Sequence, residues 1–356
     1  MSAKIVLLIF FASFLSVGLD FTKVHRKYKE YIFNVFCVVL ILFSSTKTPE
    51  TCYDTNNYVF FYNSVPSIGN FVPYILGYEP GWELLCIFFN ALGLNYHFYF
   101  FFLSTVSILI YRFIILKNCK NIFISLFTYI SCFYFLNEII VLRHGLASSL
   151  ILLEIYYLSK NQKKRALICV LLAFSFHTVG IFGLVPFFVK NEKISYRLFI
   201  LIPLAFFIND KVFIKFLGSL GDLSANNVLS MVSVKVNNYL EKEHSAGGIK
   251  TVIIYSISFL MTFVVLFNHK KQNPFLRETS LYMILSAYFM IAFSAIASFA
   301  RINQLFLISN IPQSSFYLEE YKKKKTEFII IPIFIAVNFY IFFRQNFMNS
   351  GGNIFH

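Results

Sequence analysis

The sequence is poor in charge, and its charges are unevenly divided between the two signs. Charged residues make up 13% of the 356 residues, half of the ~25% that is typical of soluble domains. There are 17 Asp and Glu against 31 Lys and Arg, and one Trp beside 47 Phe and 22 Tyr. Hydrophobic residues reach 58%, more than a soluble fold of this length can hide from water. This composition excludes a soluble globular enzyme and a disordered chain.

Metal-binding and disulfide patterns are also missing. The six Cys residues form no CxxC motif and no Cys/His spacing of the kind that binds zinc. Five of them lie in or beside apolar runs, where they pack as small apolar residues, and only Cys52 lies in a polar loop. The seven His residues are scattered along the chain. We therefore predict no disulfide framework, no metal and no cofactor.

Apolar runs near 20 residues in length recur along the chain, which indicates an all-α polytopic integral membrane protein. We predict a single transmembrane domain over residues 1–356 with about 11 transmembrane helices. A shorter apolar run, Trp82–Leu94, predicts a re-entrant or interfacial helix. The first long run has no small-residue cleavage site behind it, so we expect a retained helix. The long runs are Lys4–Leu19, Tyr31–Phe43, Phe98–Leu116, Ile122–Leu136, Ile139–Leu158, Ala166–Val189, Leu198–Leu217, Thr251–Phe267, Leu281–Ala300, Ile302–Tyr317 and Phe328–Phe343.

Basic residues cluster between the apolar runs, so they indicate topology and contacts with anionic lipid rather than nucleic acid. The positive-inside rule places these clusters in the cytoplasm and leaves two outer segments. These are residues 45–96, which contain the re-entrant helix, and the loop 218–250, a possible lid. The clusters are Lys23–Lys29, Lys117 and Lys120, Lys160–Arg165, Lys270, Lys271 and Arg277, and Lys322–Lys325.

The assignment of sides contains one conflict. Two apolar runs lie between Arg165 and the outer loop 218–250, where the change of side requires an odd number. Either Leu198–Leu217 is re-entrant, or one of the runs is a pair of short helices.

Ionisable residues inside apolar runs mark candidate functional sites, because an unpaired charge in a membrane is costly. Arg143 and His144 precede small residues near the outer end of their run, with Arg143 roughly 6 Å below the surface. The alternative is an arginine that snorkels to the headgroups. His177 lies roughly 16 Å from the inner end of its run, either in a site or in a helix–helix contact. Arg301 follows an outer helix end, where an arginine is often an interface anchor.

Carboxylates of the outer segments are further candidates. Glu79 and Glu83 flank Pro80 and would share one helix face, and Asp54 precedes them. Tyr239 lies among charged residues in the loop 218–250. Glu154 follows Arg143 by three helical turns, too far inward to pair with it, so we leave Glu154 outside the site and expect a pairing with Lys160.

The order of these residues resembles the EpsG family of Wzy-like polymerases of bacterial polysaccharide. The resemblance covers roughly residues 50–320 and includes His144 where the family pattern more often has Gln. The matching elements are Asp54, Tyr58 and Tyr62, then Glu79-Pro80-Gly81-Trp82-Glu83, then Arg143-His144-Gly145-Leu146-Ala147, then Phe176-His177 before Pro186, and Arg301 before Pro312.

This resemblance implies a fold like that of membrane glycosyltransferases (GT-C-like) and a reaction that needs no metal. It implies an undecaprenyl-diphosphate-linked oligosaccharide as substrate, handled at the outer face of the bacterial cytoplasmic membrane. The growing chain would move to the non-reducing end of a new lipid-linked unit. Membrane lipids and a polysaccharide chain-length regulator are the implied partners, without nucleic acid.

Roles for the residues follow from this chemistry. We expect Arg143 and Arg301 to bind the diphosphate, because guanidinium groups offer bidentate donors. His177 or Glu79 would assist proton transfer from the acceptor hydroxyl. The substrate-binding residues would be Asp54, Glu83, His144 and Tyr239. A flippase or other transporter of lipid-linked sugar, a membrane acyltransferase acting on polysaccharide, and a polysaccharide ligase are the alternatives.

Overall fold

The computed structural model describes residues 3–65, 78–189, 273–292, 297–324, 327–344 and 346. All regular secondary structure within these residues is helical. The α-helices are α1 (Ala3–Ser16), α2 (Arg26–Ser45), α3 (Tyr53–Ser64), α4 (Pro80–Ala91), α5 (Tyr96–Asn118), α6 (Ile122–Tyr129), α7 (Leu142–Ser159), α8 (Lys163–Phe176), α9 (Val185–Val189), α10 (Pro274–Ala292), α11 (Ala297–Leu307), α12 (Asn310–Lys324) and α13 (Glu327–Phe343). Helix α6 continues as a π-helix over Ile130–Ile140, and 3-10 helices cover Val17–Phe21, Pro49–Thr51 and Thr178–Leu184.

Several of these helices are long and apolar enough to cross a membrane. Among the described residues four meet this criterion by length and composition: Ala3–Phe21, Arg26–Ser45, Tyr96–Asn118 and Ile122–Ile140. Helix α5, for example, is 23 residues long, or about 34 Å, against a hydrocarbon core of about 30 Å. The structure therefore supports an all-α membrane protein, and the number of about 11 spans stays a prediction.

The basic clusters of the N-terminal half meet at one end of the molecule. Lys117 and Lys160 both lie over the ring of Tyr156, with Nζ 5.6 and 5.9 Å from the ring centroid. At the same end of α5, the guanidinium of Arg26 donates hydrogen bonds to the carbonyls of Leu116, Cys119 and Lys120 at 2.9–3.1 Å. These carbonyls lie at the C-terminus of α5, where a cation is favoured.

Helix α6 begins at this same end and is capped by a buried carboxylate. Asp20 Oδ2 accepts hydrogen bonds from the backbone N–H groups of Phe123 and Ile124 at 3.0 and 2.9 Å. A carboxylate at a helix N-terminus satisfies unpaired donors and matches the helix dipole. Asp20 thereby connects the first helix to α6.

The predicted span Ala166–Val189 is wrong, because the chain reverses direction inside it. Helix α8 ends at Phe176, and His177 adopts an extended conformation with φ −153° and ψ 127°. The following 3-10 helix packs back onto α8: a Cβ built on Gly180 would lie 2.4 Å from the carbonyl carbon of Ala173. One on Gly183 would lie 3.0 Å from Val170 Cγ2. This run is therefore a pair of short helices, one of the two solutions to the topology conflict; the other, Leu198–Leu217, lies outside the described residues.

The boundary predicted at Arg301 also differs. Helix α10 ends at Ala292, and Arg301 lies within α11 rather than in the turn between two runs. A turn at Ile308 and Ser309 follows α11. The backbone of Arg301 therefore belongs to a regular helix, α11, and not to a loop.

Glu154 lies in the interior of the bundle instead of pairing with Lys160. Its Oε1 accepts a 2.6 Å hydrogen bond from the hydroxyl of Tyr282 on α10. The side chain is fully buried. The predicted pairing with Lys160 is therefore wrong. The predicted separation from Arg143 agrees with the position of Glu154 about two-thirds of the way along α7.

Gly145, near the start of α7, allows the π-helix and α7 to approach closely. We therefore expect a loss of stability when a larger residue replaces this glycine. A Cβ on Gly145 would lie 2.3 Å from the backbone oxygen of Asn137. We expect Gly145→Ala to lower the free energy of unfolding by about 1–3 kcal/mol, since a backbone atom must move. The measurement is the thermal unfolding midpoint of the purified protein in detergent.

Gly18→Ala is the matched control, because an added Cβ there meets nothing within 4 Å. We expect its midpoint to equal that of the wild type. Equal midpoints for Gly145→Ala and Gly18→Ala would contradict the close packing at Asn137.

Candidate functional site

The start of α7 carries a half-buried arginine that is paired with a buried glutamate. Arg143 is the second residue of α7, so its cation lies at the positive end of the helix dipole. A salt bridge joins its Nη1 to Oε2 of Glu79. The side chains are 18% and 2% exposed. The carboxylate thus offsets both the charge of the arginine and its unfavourable place on the helix.

Glu79 connects three helix ends. It is the N-cap residue of α4, with Pro80 in the first turn as predicted. Its Oε2 binds Arg143 at the start of α7, and its Oε1 accepts a 3.2 Å hydrogen bond from the backbone N–H of Thr178. Thr178 begins the 3-10 helix after the chain reversal. One carboxylate therefore holds together elements that are far apart in the sequence.

Gly81 explains how α4 comes close enough for this contact. A Cβ at this position would lie 2.6 Å from Ser175 Oγ and 2.7 Å from the Ser175 carbonyl oxygen. Only glycine leaves room for the last turn of α8 against the first turn of α4. The Glu-Pro-Gly sequence thus supplies a charge, a helix start and a point of close approach.

The sequence predicts His177 near the middle of a continuous helix. The structure places it at the chain reversal that follows α8. It is the N-cap of the 3-10 helix, and its Nδ1 accepts a 3.2 Å hydrogen bond from Val179 N–H. Its ring packs edge-on against that of His144, with centroids 5.4 Å apart and an interplanar angle of 80°. His144 is buried, and neither of its ring nitrogens has a hydrogen-bond partner among the described residues.

Aromatic rings surround the guanidinium of Arg143. Its Cζ lies 4.5 Å from the ring centroid of Tyr78 and 5.8 Å from that of Tyr58. Trp82 is fully buried and packs against Tyr58 at 4.9 Å and Tyr99 at 5.1 Å. Such rings bind a guanidinium through its face while leaving its N–H groups available.

Asp54 and Arg301 lie close enough to this group to interact electrostatically. Burial raises the pKa of the Asp54 carboxyl, while the positive charges of Arg301 and Arg143 act in the opposite direction. The charge of Arg301 also acts on His144. Within the described residues no hydrogen bond or ion pair holds the side chain of Arg301. Arg301 thus brings a second positive charge to the site, within electrostatic range of Asp54.

The structure therefore brings together most of the residues singled out in the sequence. Glu79 contacts Arg143, and His144 contacts His177. Asp54 and Arg301 lie within electrostatic range. Glu83 is buried one turn after Glu79 on α4. Tyr239 and the loop 218–250 lie outside the described residues.

Sequence reasoning missed Thr178 and gave no role to Tyr58 and Tyr78. The backbone N–H of Thr178 carries no signal in the sequence. Tyr78 directly precedes Glu79 in the sequence. Its position next to a candidate carboxylate could have identified it as a residue of the site.

No cluster of three or more His, Cys, Asp or Glu that could hold a metal occurs in the part of the chain described by the structure. The absence of a metal stays a prediction. The group has two guanidiniums and two imidazoles around one paired carboxylate and Asp54. Such an arrangement can bind an anion with several oxygens through charge-assisted hydrogen bonds.

Comparison with known proteins agrees with the resemblance of the motifs. A family model described as the EpsG family matches residues 30–354, which is nearly the whole chain. No curated protein and no solved structure gives a significant match. The chain therefore belongs to the EpsG family, a family of Wzy-like polymerase-type proteins of exopolysaccharide and O-antigen synthesis.

Proposed function

We propose that this protein joins undecaprenyl-diphosphate-linked oligosaccharide repeat units into polysaccharide at the outer face of the bacterial cytoplasmic membrane. Membership of the EpsG family indicates the coarse activity, that of a glycosyltransferase-like polysaccharide polymerase in a membrane. The lipid carrier, the direction of transfer and the side of the membrane are the proposal.

One observation carries it: two arginines converge with a histidine pair where several helices end. The Arg143–Glu79 pair lies beside His144 and His177, and the positive charge of Arg301 acts on the same group. A departing diphosphate develops negative charge, and arginines placed in advance in an apolar setting stabilise such charge well. The arrangement suits a phosphorylated lipid better than a neutral sugar.

The reaction we propose is a substitution at the anomeric carbon of the growing chain. A hydroxyl oxygen of the acceptor sugar forms a bond to that carbon while the bond to the diphosphate oxygen breaks. The diphosphate leaves with the electron pair and is held by Arg301 and by the free donors of Arg143, whose Nε has no hydrogen-bond partner in the described residues. The hydroxyl proton passes to a base of the site.

The two histidines are not equally suited to accept this proton. Nδ1 of His177 accepts a hydrogen bond from Val179 N–H, so the neutral ring carries its proton on Nε2 and presents a donor. His144 has no such bond on either nitrogen in the described part of the chain. We therefore assign His177 to donation and orientation, and His144 or a carboxylate to proton acceptance.

The position of the site along α7 supports the outer side. Arg143 is at the first turn of α7, and Lys160 follows its last residue, 17 residues later. That distance is about 26 Å along a helix. Because Lys160 shares the basic end with Lys117, the positive-inside rule puts Arg143 at the outer end. Membrane lipids and a chain-length regulator are the partners we expect there.

One prediction for polymer formation concerns Arg143. We expect Arg143→Ala to abolish polymer ladders, since the diphosphate loses a bidentate donor, and Arg143→Lys to restore only a small part because a lysine offers a point charge. The measurement is the ladder on a gel from a deletion strain that carries each variant, with the protein level in membranes as control. Wild-type length and amount of polymer in Arg143→Ala would refute the assignment.

The same strain separates the proposed function from its alternatives. A polymerase deletion should accumulate single lipid-linked repeat units on the outer side, whereas a flippase deletion accumulates them inside. A full ladder in the deletion strain would point to a ligase or another activity.

Another prediction separates the capping role of His177 from its chemical role. Asn is as good a helix N-cap as any residue, so His177→Asn should keep the thermal unfolding midpoint. We expect polymer formation to fall about 10²-fold or more, the usual contribution of a hydrogen-bond donor placed at developing negative charge.

His177→Ala is the comparison variant, because it loses both the cap and the imidazole. It should lower the midpoint as well as the polymer yield. Full activity of His177→Asn would show that the residue serves only as a cap.

A further inference from the structure

The loop between α2 and α3 contains a buried lysine that takes no part in the site described above. Lys47 is 2% exposed. Its Nζ donates a 2.6 Å hydrogen bond to the backbone carbonyl of Glu138 and lies 4.7 Å from the ring centroid of Phe100. A lysine is rarely buried to this degree unless its ammonium group is paired.

Stability alone does not account for this lysine. Burial lowers the pKa of Lys47 below its usual range, although the Glu138 carboxylate acts in the opposite direction. The Glu138 carboxylate itself accepts hydrogen bonds from Ser107 at 2.6 Å and Tyr129 at 3.3 Å. Buried charges are often no more stabilising than apolar residues of similar size. A lysine kept at such a place therefore suggests a need for a strong, directed donor.

The acceptors of these bonds lie at a break between two helices. The π-helix ends at Ile140 and α7 begins at Leu142, with Val141 between them at φ −112° and ψ 61°. Carbonyls at the end of a helix lack donors of their own helix. Lys47 supplies a donor to the Glu138 carbonyl, and Thr55 Oγ1 supplies one to the Ile139 carbonyl at 3.3 Å.

Both donors come from the segment that also carries Asp54. Thr55 follows Asp54 directly at the start of α3, and Lys47 lies in the loop before it. Both acceptors lie four or five residues before Arg143. These two bonds thus connect α3 and the loop before it to the chain just before the first turn of α7, which carries Arg143 and His144.

We propose that Lys47 and Thr55 are positioning residues that hold the break before α7 in place and so set the location of the Arg143 guanidinium. We call the two hydrogen bonds the Lys47–Thr55 latch. The proposal rests on the proposed function, because the arginine must be aligned with a bound diphosphate. A shift of about 1 Å in such a group can cost on the order of 10²-fold in rate.

The test measures binding of undecaprenyl diphosphate to the purified full-length protein in detergent, beside polymer formation in the deletion strain. Lys47→Met removes the donor and the charge at nearly constant volume. We expect an unchanged or higher thermal unfolding midpoint, since a buried charge is removed. Binding and polymer formation should each fall about 10-fold or more. The matched control is Lys120→Met at a side chain that is 82% exposed, which should change neither.

A double-mutant cycle shows whether the latch acts through Arg143. If it does, Lys47→Met should weaken binding in the wild-type background and have no further effect in the Arg143→Ala background. Additive effects of the two substitutions would overturn the proposal, as would wild-type binding and ladders in Lys47→Met.

Thr55 provides a second pair of variants should Lys47→Met fail to fold. Thr55→Val is isosteric and lacks the hydroxyl, whereas Thr55→Ser keeps it, so the latch predicts reduced binding for Val and recovery for Ser. Equal binding by the two, or loss of folding in Thr55→Val, would overturn the positioning role. Normal behaviour of the latch variants together with ladder loss in Arg143→Ala would leave the proposed function standing. A wild-type protein that neither binds the lipid diphosphate nor forms polymer would refute both.

Discussion

The ion pair between Glu79 and Arg143 is the constraint on which the rest of the site depends. A guanidinium at the first turn of an apolar helix lies at the wrong end of the helix dipole and away from bulk water, so it needs a carboxylate close by. Glu79 reaches it only because α4 begins there and Gly81 lets α4 touch the end of α8. The other oxygen of the same carboxylate fixes the start of the 3-10 helix at Thr178. Three segments are thus held by one side chain, and the histidine pair follows from their arrangement.

Features with a local cause were predictable from the sequence. The apolar run Phe98–Leu116 became α5, Tyr96–Asn118, because length and hydrophobicity alone define a helix that spans a membrane. Pro80 lies in the first turn of α4 because proline lacks the N–H that a first turn leaves unpaired. Arg143 stood out because a charge in an apolar run has few explanations. Tertiary partners were beyond reach: the contact of Glu79 with Arg143 joins residues 64 positions apart.

The reversal at His177 shows a limit of hydropathy as a guide. The run Ala166–Val189 is apolar on both sides of the turn, so its composition is that of one continuous span. The chain can reverse because Gly180 and Gly183 have no side chain and so pack closely against α8. The cap that His177 supplies starts the 3-10 helix that follows. Two short helices in a membrane leave backbone groups unpaired at the bend, and a capping imidazole satisfies one of them. His177, which the sequence places deep in the membrane as a candidate catalytic residue, therefore also serves as the acceptor for a backbone N–H.

The single tryptophan has a practical consequence. Trp82 is buried between Tyr58 and Tyr99, two residues after Pro80 and beside the rings that surround Arg143. Its indole N–H has no hydrogen-bond partner among the described residues. Because the chain contains no other tryptophan, its tryptophan fluorescence originates at this one place. The protein thus carries its own optical reporter within the site, and emission excited at the indole band follows the site without any label.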